Sequence, residues 1–550
     1  MSYNALTGLL SSVLASISMD NHTLSLAAVG LVVVFVVSKV MAYRDNLKRV
    51  GHLPGYRLPL FPYTILGIMF KNSNLIPGYQ FLWNWRSSMY KRFKHDTISY
   101  ISWFSGRALI FTSNVEVMRQ VAGGTKSDFI KPAQASKVLL VWGSNILASE
   151  GGEHWRAHRR IMAPAFSQGL YELLWRTSIS LYRQMLAGEE WETKKVAQVS
   201  RAQDFTYKFA LLTIGVCGFG FHFNWTDPMI TVEGDSDMTL MKAFEIFDHN
   251  QVTVLLPWWL LRLPIKRFKE YRRATAKLTE WMVGQIAERK ELINSRTEDD
   301  KEKLREDLFT RMVKANEEEL KKFRLADQEL IGNIFILLLA GHETTAQTLA
   351  ATLAQLALHP EIQDEIFEQI MSVVGSNRDP DLEDHRSLTK VLAAFYEGTR
   401  MYPAAHMMFR EARVDTILHV ENPVGEAPGT TPVPLPKGAT VVVDVIGVQY
   451  NERYFDEPFK FKISRWADMP HESEAASAFS VGPRACIGRK FAVTEAVAFL
   501  TMMLRDWKIE PLMEAGETLG QWEKRIFQGN VMLSLGIQSA SLKFVRRERS

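Results

Sequence analysis

The sequence predicts a mainly α-helical protein with a smaller β-rich part, carried on an N-terminal transmembrane helix. Three observations lead there. Long segments of helical length and patterning dominate between Glu153 and Leu504. The β-type runs are short and fall near residues 97–112, 414–450 and 531–545. Leu24 to Ala42 is predominantly apolar, interrupted only near its end by Lys39. Of 550 residues 47% are apolar, enough for a large core. A formal charge of +4 on this length gives no sign of a nucleic-acid protein. Two cysteines, Cys217 and Cys486, make no disulfide framework and fit a reducing compartment.

A bilayer span takes roughly 20 apolar residues, and residues 24–43 read as that anchor. Arg44, Lys48 and Arg49 follow it and no Lys or Arg precedes Lys39, which places the body in the cytosol and residues 1–23 on the lumenal side. A cleaved signal peptide would carry a basic start, which is missing. Asn21-His22-Thr23 is then a glycan acceptor by pattern, and the short apolar stretch 5–17 reads as interfacial or disordered. Residues 44–62 are proline-rich and read as a stiff hinge; residues 63–550 form the body. Tyr63 to Phe70 reads as lying on the bilayer.

Thr97–Phe104 and Ala108–Thr112 form a hairpin around Gly106. Glu153–Ala163 is a helix with Trp155 and Arg159 four apart on one face, made basic by Arg156 and Arg160. Phe205–Gly220 is a helix in which Cys217 packs. Val252–Ile265, with Trp258 and Trp259, is too short and proline-broken to span; it reads as a loop dipping into the membrane, with a buried core segment as the alternative. Lys266–Ile293 is amphipathic, and 296–307 is a solvated charge run.

Asp327 opens, as N-cap, a helix running to Leu358. Its middle, Leu339-Ala-Gly341-His-Glu343-Thr344-Thr-Ala346, is poor helix chemistry, and such violations gather at functional sites. A threonine there can bond back to the preceding turn and distort the helix; a polar seam between helices is the bland alternative. Leu388–Met401 holds Glu397 and Arg400, spaced to pair. Residues 422–434 look like an exposed insertion among β-like runs, and Val531–Leu535 with Ser541–Val545 suggests a terminal hairpin.

The most informative stretch is Phe479-Ser-Val-Gly482-Pro-Arg484-Ala-Cys486-Ile-Gly488, followed by an apolar helix from Phe491 to Leu504. A thiolate is a strong donor to haem iron. Glycines let backbone approach a flat cofactor, and a cation with free amides nearby favours the thiolate. A buried, inert cysteine is the alternative for a lone Cys.

The spacing Phe-x-x-Gly-x-Arg-x-Cys-x-Gly resembles the haem-binding loop of the cytochrome P-450 monooxygenases, and Ala340-Gly341-His342-Glu343-Thr344-Thr345 resembles their oxygen-activation motif. The likeness spans roughly residues 50 to 545, five motifs in order, and the first 50 residues fit the membrane-bound, fungal microsomal branch. It implies the cytochrome P-450 fold and haem b (iron protoporphyrin IX), with Cys486 as axial iron ligand. Arg484, Trp155, Arg159 and Arg410 would hold the propionates, with Phe479, Gly482 and Gly488 shaping the loop. Glu397, Arg400 and Arg465 would brace it, although Ile463 and Ser464 stand where the family pattern has proline and glutamate. Thr344 would hydrogen-bond the oxygen molecule, Glu343 would help deliver protons and Gly341 would leave space for oxygen; His342 is incidental.

The implied activity is insertion of one atom of O2 into a lipophilic small molecule, in terpenoid or other secondary metabolism. The substrate would meet Val141, Trp142, Ile146, Phe335, Leu339, Met407 and Met408, and the segment Pro403–Phe409. No flavin or nicotinamide motif is present, so electrons would come from NADPH-cytochrome P-450 reductase, with cytochrome b5 as a second donor. They would dock on helix 153–163 with Arg489 and Lys490. The expected location is the endoplasmic reticulum membrane, single-pass, with the catalytic domain cytosolic. A peroxide-rearranging enzyme, a non-catalytic haem protein and a haem-free scaffold are the alternatives; the Glu343-Thr344 pair argues against the first.

Overall fold

A computed structural model describes residues 21–548 except 64–72, 74–75, 104–107, 125–126, 133–138, 222–223, 227–237, 251–252, 254–255, 257–258, 296–306, 321, 424, 470–472 and 532–533. The expectations for residues 5–17, 64–70, Gly106, Trp258 and the charge run 296–306 therefore lie outside the described residues.

The principal helices are α1 (Asn21–Arg49), α2 (Gly152–Met162), α3 (Gln168–Gly188), α4 (Ala202–Thr213), α5 (Leu240–His249), α6 (Lys266–Asn294), α7 (Leu308–Glu318), α8 (Asp327–Leu358), α9 (Pro360–Val373), α10 (Thr389–Met401) and α11 (Arg489–Asp506). Helix α8 has 32 residues, about 48 Å at 1.5 Å per residue. It is apolar nearly all round, as a helix buried on every side must be. Its cap is Ala326, whose amide donates to Glu329; Asp327 is the first helical residue, not the N-cap. Its first half packs with α5, α6 and α7 in one hydrophobic core, through residues such as Phe335 and Leu339. Its last turns, Leu349 to Ala357, belong to a second core with α3, α10 and α11. Residues 342–348, between the two cores, hold its densest run of polar groups.

Strands β1 (Gly55–Leu58), β2 (Thr97–Ser102), β3 (Ala108–Thr112), β4 (Phe129–Ile130), β6 (Met407–Ala412) and β9 (Thr440–Asp444) form a mixed sheet in the order β1-β2-β3-β9-β6-β4, while β5 (Val196–Val199), β10 (Trp507–Pro511) and β13 (Leu542–Arg546) form another. Strands β7 (Thr416–Glu421) and β8 (Thr430–Leu435) make a hairpin, as do β11 (Asn530–Val531) and β12 (Leu535–Gly536). The terminal hairpin thus closes within residues 530–536; residues 542–546 pair instead with β10 and β5. Pairing of β4 with β6 (Ile130 opposite Glu411) brings Lys131 towards Arg410.

The 44–62 hinge is a correction. Helix α1 continues to Arg49, β1 pairs with β2, and Leu53, Tyr56, Leu58 and Phe61 are buried, so this stretch is part of the body. The helix stops at Arg49, ahead of Pro54, where Gly51 and His52 take positive φ, and the apolar residues between the prolines bury themselves against the sheet. Val29, Leu31 to Val37, Val40 and Met41 leave apolar side chains exposed along α1. Among the residues whose side chains are described, no helix is long and apolar enough to cross a membrane. The segment expected from Phe205 to Gly220 is α-helical to Thr213 and then widens into a π-turn, Ile214–Gly218.

Candidate active site

The Cys486 loop is closed by its own backbone: the Cys486 amide donates to the Phe479 carbonyl at 2.8 Å. Gly482 has φ +68, and a Cβ there would come within 2.7 Å of the Ala122 carbonyl oxygen, so only glycine fits. Gly488 caps α11, its amide bonds the sulfur, and the helix N-terminus favours negative charge there. Cys486 is accessible although it lies deep among protein atoms; the sulfur opens onto interior space. Burial pushes its thiol up, and the Gly488 amide, Arg159 and Arg489 pull it only part of the way back. The loop alone therefore does not hold a thiolate; a cationic ligand at the sulfur would.

Behind the loop is a closed network. Arg400 donates twice to Glu397, Nε to Oε2 and Nη2 to Oε1, each at 2.9 Å, and neither side chain is exposed. Arg465 Nε reaches Glu397 Oε1 at 3.0 Å, the Lys462 amide donates to the same oxygen, and Trp466 Nε1 donates to Oε2 at 2.9 Å. Arg400 spends its remaining donors on the carbonyls of Gln449, Pro458 and Lys460. The Ile463-Ser464 departure leaves this intact. Ser464 precedes the short helix Arg465–Asp468 with φ −60, and Ile463 is buried in the core.

In front of the loop the charges do not close. Arg484 stacks over Trp155 at 5.0 Å, and its buried Nη2 has no hydrogen-bond partner. Arg410, on β6, is buried and donates to its neighbour's carbonyl, Phe409. Lys131 donates to the Leu147 carbonyl at 2.5 Å. Burial holds Lys131 down to about 7, with Arg410 and Arg484 adding repulsion. Burial likewise lowers Arg410 to about 10 and Arg484 to about 10. Three cations sharing low-dielectric space, with no carboxylate partner among the described residues, are chemically suited to a dianion. The sequence reading missed Lys131; a lysine after the apolar pair Phe129-Ile130 was its only signal.

Across α8, Leu337, Ala340, Gly341 and Thr344 form a stripe that is not fully buried, in a helix whose residues 330–357 are otherwise buried. Thr344 Oγ1 donates to the Ala340 carbonyl at 2.7 Å, the back-bond expected of a mid-helix threonine. Ala340 is exposed to interior space on this stripe.

A sequence model described as Cytochrome P450 matches residues 78–532. The chain belongs to the cytochrome P450 family. It is 34% identical over 537 residues to Cytochrome P450 monooxygenase 124 of Postia placenta, covering 96% of this chain and all of that one. It is 27% identical to Cytochrome P450 monooxygenase AOL_s00215g278 of Arthrobotrys oligospora, over 75% and 77% of the two chains, and 26% identical to Cytochrome P450 709B1 of Arabidopsis thaliana, over 76% and 77%. As a P450 the protein is an oxidoreductase that uses O2 and binds haem. The residues present fit that group: an accessible sulfur in an enclosed loop, and a cation cluster with an orphaned buried guanidinium nitrogen suited to two carboxylates.

Three placements within the P450 body add to the expectation or differ from it. The side of Gly341 that lacks a Cβ faces Ile214 of the π-turn, 3.2 Å from a built Cβ, so the glycine also lets these two segments pack closely. Glu343 is buried beside Thr344, yet its Oε1 accepts from the amide and hydroxyl of Ser534. Trp142, Phe335 and Leu339 are packed in the core, with Trp142 and Phe335 rings 4.2 Å apart; Val141, Ile146, Met407 and Met408 are half-buried. His342 bonds the Leu338 carbonyl and Cys217 is buried.

Of the expected docking cations, Arg160 is paired with Glu319 at 2.6 Å, Arg489 lies over Tyr396 and Phe479, and Lys490 lies over Tyr171. Arg156 is exposed. His154, His158 and Glu329 place ligand atoms within 4.8 Å of one another. Asn333 donates to His158 Nδ1, its orientation fixed by the Ile146 amide on Oδ1. That puts the imidazole proton on Nε2, 3.7 Å from Glu329 Oε1, while His154 Nε2 hydrogen-bonds the same oxygen at 2.6 Å; with His158 Nδ1 occupied by Asn333, the trio is not an open metal ligand set.

Proposed function

We propose that this protein is a membrane-anchored monooxygenase that inserts one oxygen atom from O2 into a lipophilic small molecule, using electrons from an NADPH-dependent reductase. The observation that carries the reading is the pairing of an accessible, loop-enclosed Cys486 with the unbalanced cations in front of it. Bound haem supplies the O–O cleavage that a thiolate ligand promotes. The protein's share is positional. Cys486 gives the thiolate. Arg484 over Trp155, together with Arg159, Arg410 and Lys131, would neutralise the propionates. Glu397, Arg400 and Arg465 keep the loop rigid. Thr344 presents its hydroxyl on the accessible stripe, and Glu343, one residue earlier, helps deliver protons from the same turn.

The anchor reading rests on the exposed apolar face of α1, on the basic residues after it, and on exposed Trp259, Leu263 and Ile265 in the connection between α5 and α6. Cytosolic placement of the body at the endoplasmic reticulum, a terpenoid or other secondary-metabolite substrate and a role for cytochrome b5 belong to the same proposal. Arg156 and Lys490 are its docking cations. The test is the reduced, carbon-monoxide-bound spectrum, followed by NADPH-driven product formation with reductase from terpenoids, sterols and fatty acids. A thiolate-type spectrum with an oxygenated product supports the reading; its absence in the folded, haem-loaded protein overturns it.

A further inference from the structure

We infer that Ser534, in the connection of the β11–β12 hairpin, is the positioning residue for the Glu343 carboxylate, and that this hairpin ties the Glu343 turn to the substrate-side segment. The inference rests on the monooxygenase reading and deepens it. Two donors from one residue, the Ser534 amide at 3.2 Å and its hydroxyl at hydrogen-bond distance, converge on Glu343 Oε1. Glu343 is 3% exposed. A buried carboxylate held by donors is oriented by them, because leaving it without them costs its full desolvation.

The hairpin is pinned on both sides of this contact. The Leu535 amide donates to the Ala404 carbonyl at 3.0 Å, on the segment between α10 and β6. A Cβ on Gly536 would lie 2.1 Å from Gln347 Oε1, one turn beyond Glu343, so glycine permits the hairpin to lie flat on α8. Gln347 in turn donates to Tyr207 on α4 at 2.8 Å. One short hairpin therefore touches Ala404, Glu343 and Gln347. A shift of the 402–409 segment is transmitted to the acid through two backbone-anchored contacts. The hydroxyl is the part of this clamp that a side-chain change can remove alone.

The experiment uses full-length, haem-loaded protein in four forms: wild type, Ser534→Ala, Ser534→Thr and Glu343→Gln, with the Ser534→Ala/Glu343→Gln double variant. Infrared spectra of the carboxyl and carboxylate regions identify the Glu343 band as the one lost in Glu343→Gln. That band shifts in Ser534→Ala and returns to its wild-type position in Ser534→Thr. With reductase and no added substrate, Ser534→Ala slows NADPH oxidation roughly tenfold, the scale of a misplaced catalytic group, and the double variant is no slower than Glu343→Gln. A Glu343 band unmoved by Ser534→Ala, or additive effects of the two substitutions, overturns the inference. A wild-type protein without the thiolate-type carbonyl spectrum would instead overturn the reading beneath it.

Discussion

Two buried charged clusters flank the Cys486 loop, and they differ in one respect. Around Glu397 every charge has its counter-charge: two arginines, a backbone amide and an indole share both carboxylate oxygens. Around Arg410 there are Lys131 and Arg484 and, among the described residues, no paired carboxylate, and burial has driven all three towards losing protons. A closed buried network fixes geometry, whereas an open one stores a desolvation cost that a ligand of opposite charge can relieve. The same side-chain chemistry thus has two meanings, separated by whether its charges balance.

Removing one charge from each cluster should give opposite signs. Glu397→Ala leaves Arg400 and Arg465 buried without their anion, and denaturant unfolding should show a loss of about 3–5 kcal/mol with or without haem. A loss near zero would mean that the brace is not a closed unit. Arg410→Leu should leave the haem-free protein equally or more stable while weakening haem retention by about 1.5–3 kcal/mol, read from haem transfer to a competing apoprotein. Equal losses in both states would show that the cluster is balanced by something else.

The pH dependence sharpens the same contrast. Lys131 drops from an ordinary 10.5 to about 7 in the fold. Its neutral form is favoured in the folded state, so haem-free protein should lose stability as pH falls from 10.5 to about 7, where the unfolded chain takes the proton first. Lys131→Met should flatten that slope. His158 adds a separate loss below pH 6.5, as burial lowers it to about 4, and Lys131→Met should leave that part untouched. The smallest effect is expected at Gly341→Ala. Ile214 must give way by a few tenths of an ångström, for a cost of about 1 kcal/mol, with little change in oxygen use.

Much of this was legible in the sequence because it depends on local pattern. Helix α8 runs from Asp327 to Leu358 as its apolar length and the following Pro360 require, and α10 ends at Met401 before Pro403. The loop residues Gly482, Arg484, Cys486 and Gly488 sit together because they are adjacent in the chain. What could not be read depends on tertiary approach. Lys131 reaches Arg410 only through the pairing of β4 with β6. Ser534 reaches Glu343 from 191 residues away. The packing of Ile214 against Gly341 comes through a π-turn that has no sequence marker.

The central claim is that Cys486 is the sulfur ligand of a working oxygenase. The most direct test is the reduced carbonyl spectrum of Cys486→Ser beside wild type, both loaded with haem. Cys217, the one other cysteine in the chain, stays in place as an internal control. The account predicts the thiolate-type band in wild type and its loss, with NADPH-driven turnover, in Cys486→Ser. A Cys486→Ser protein that kept both the band and the turnover would contradict it.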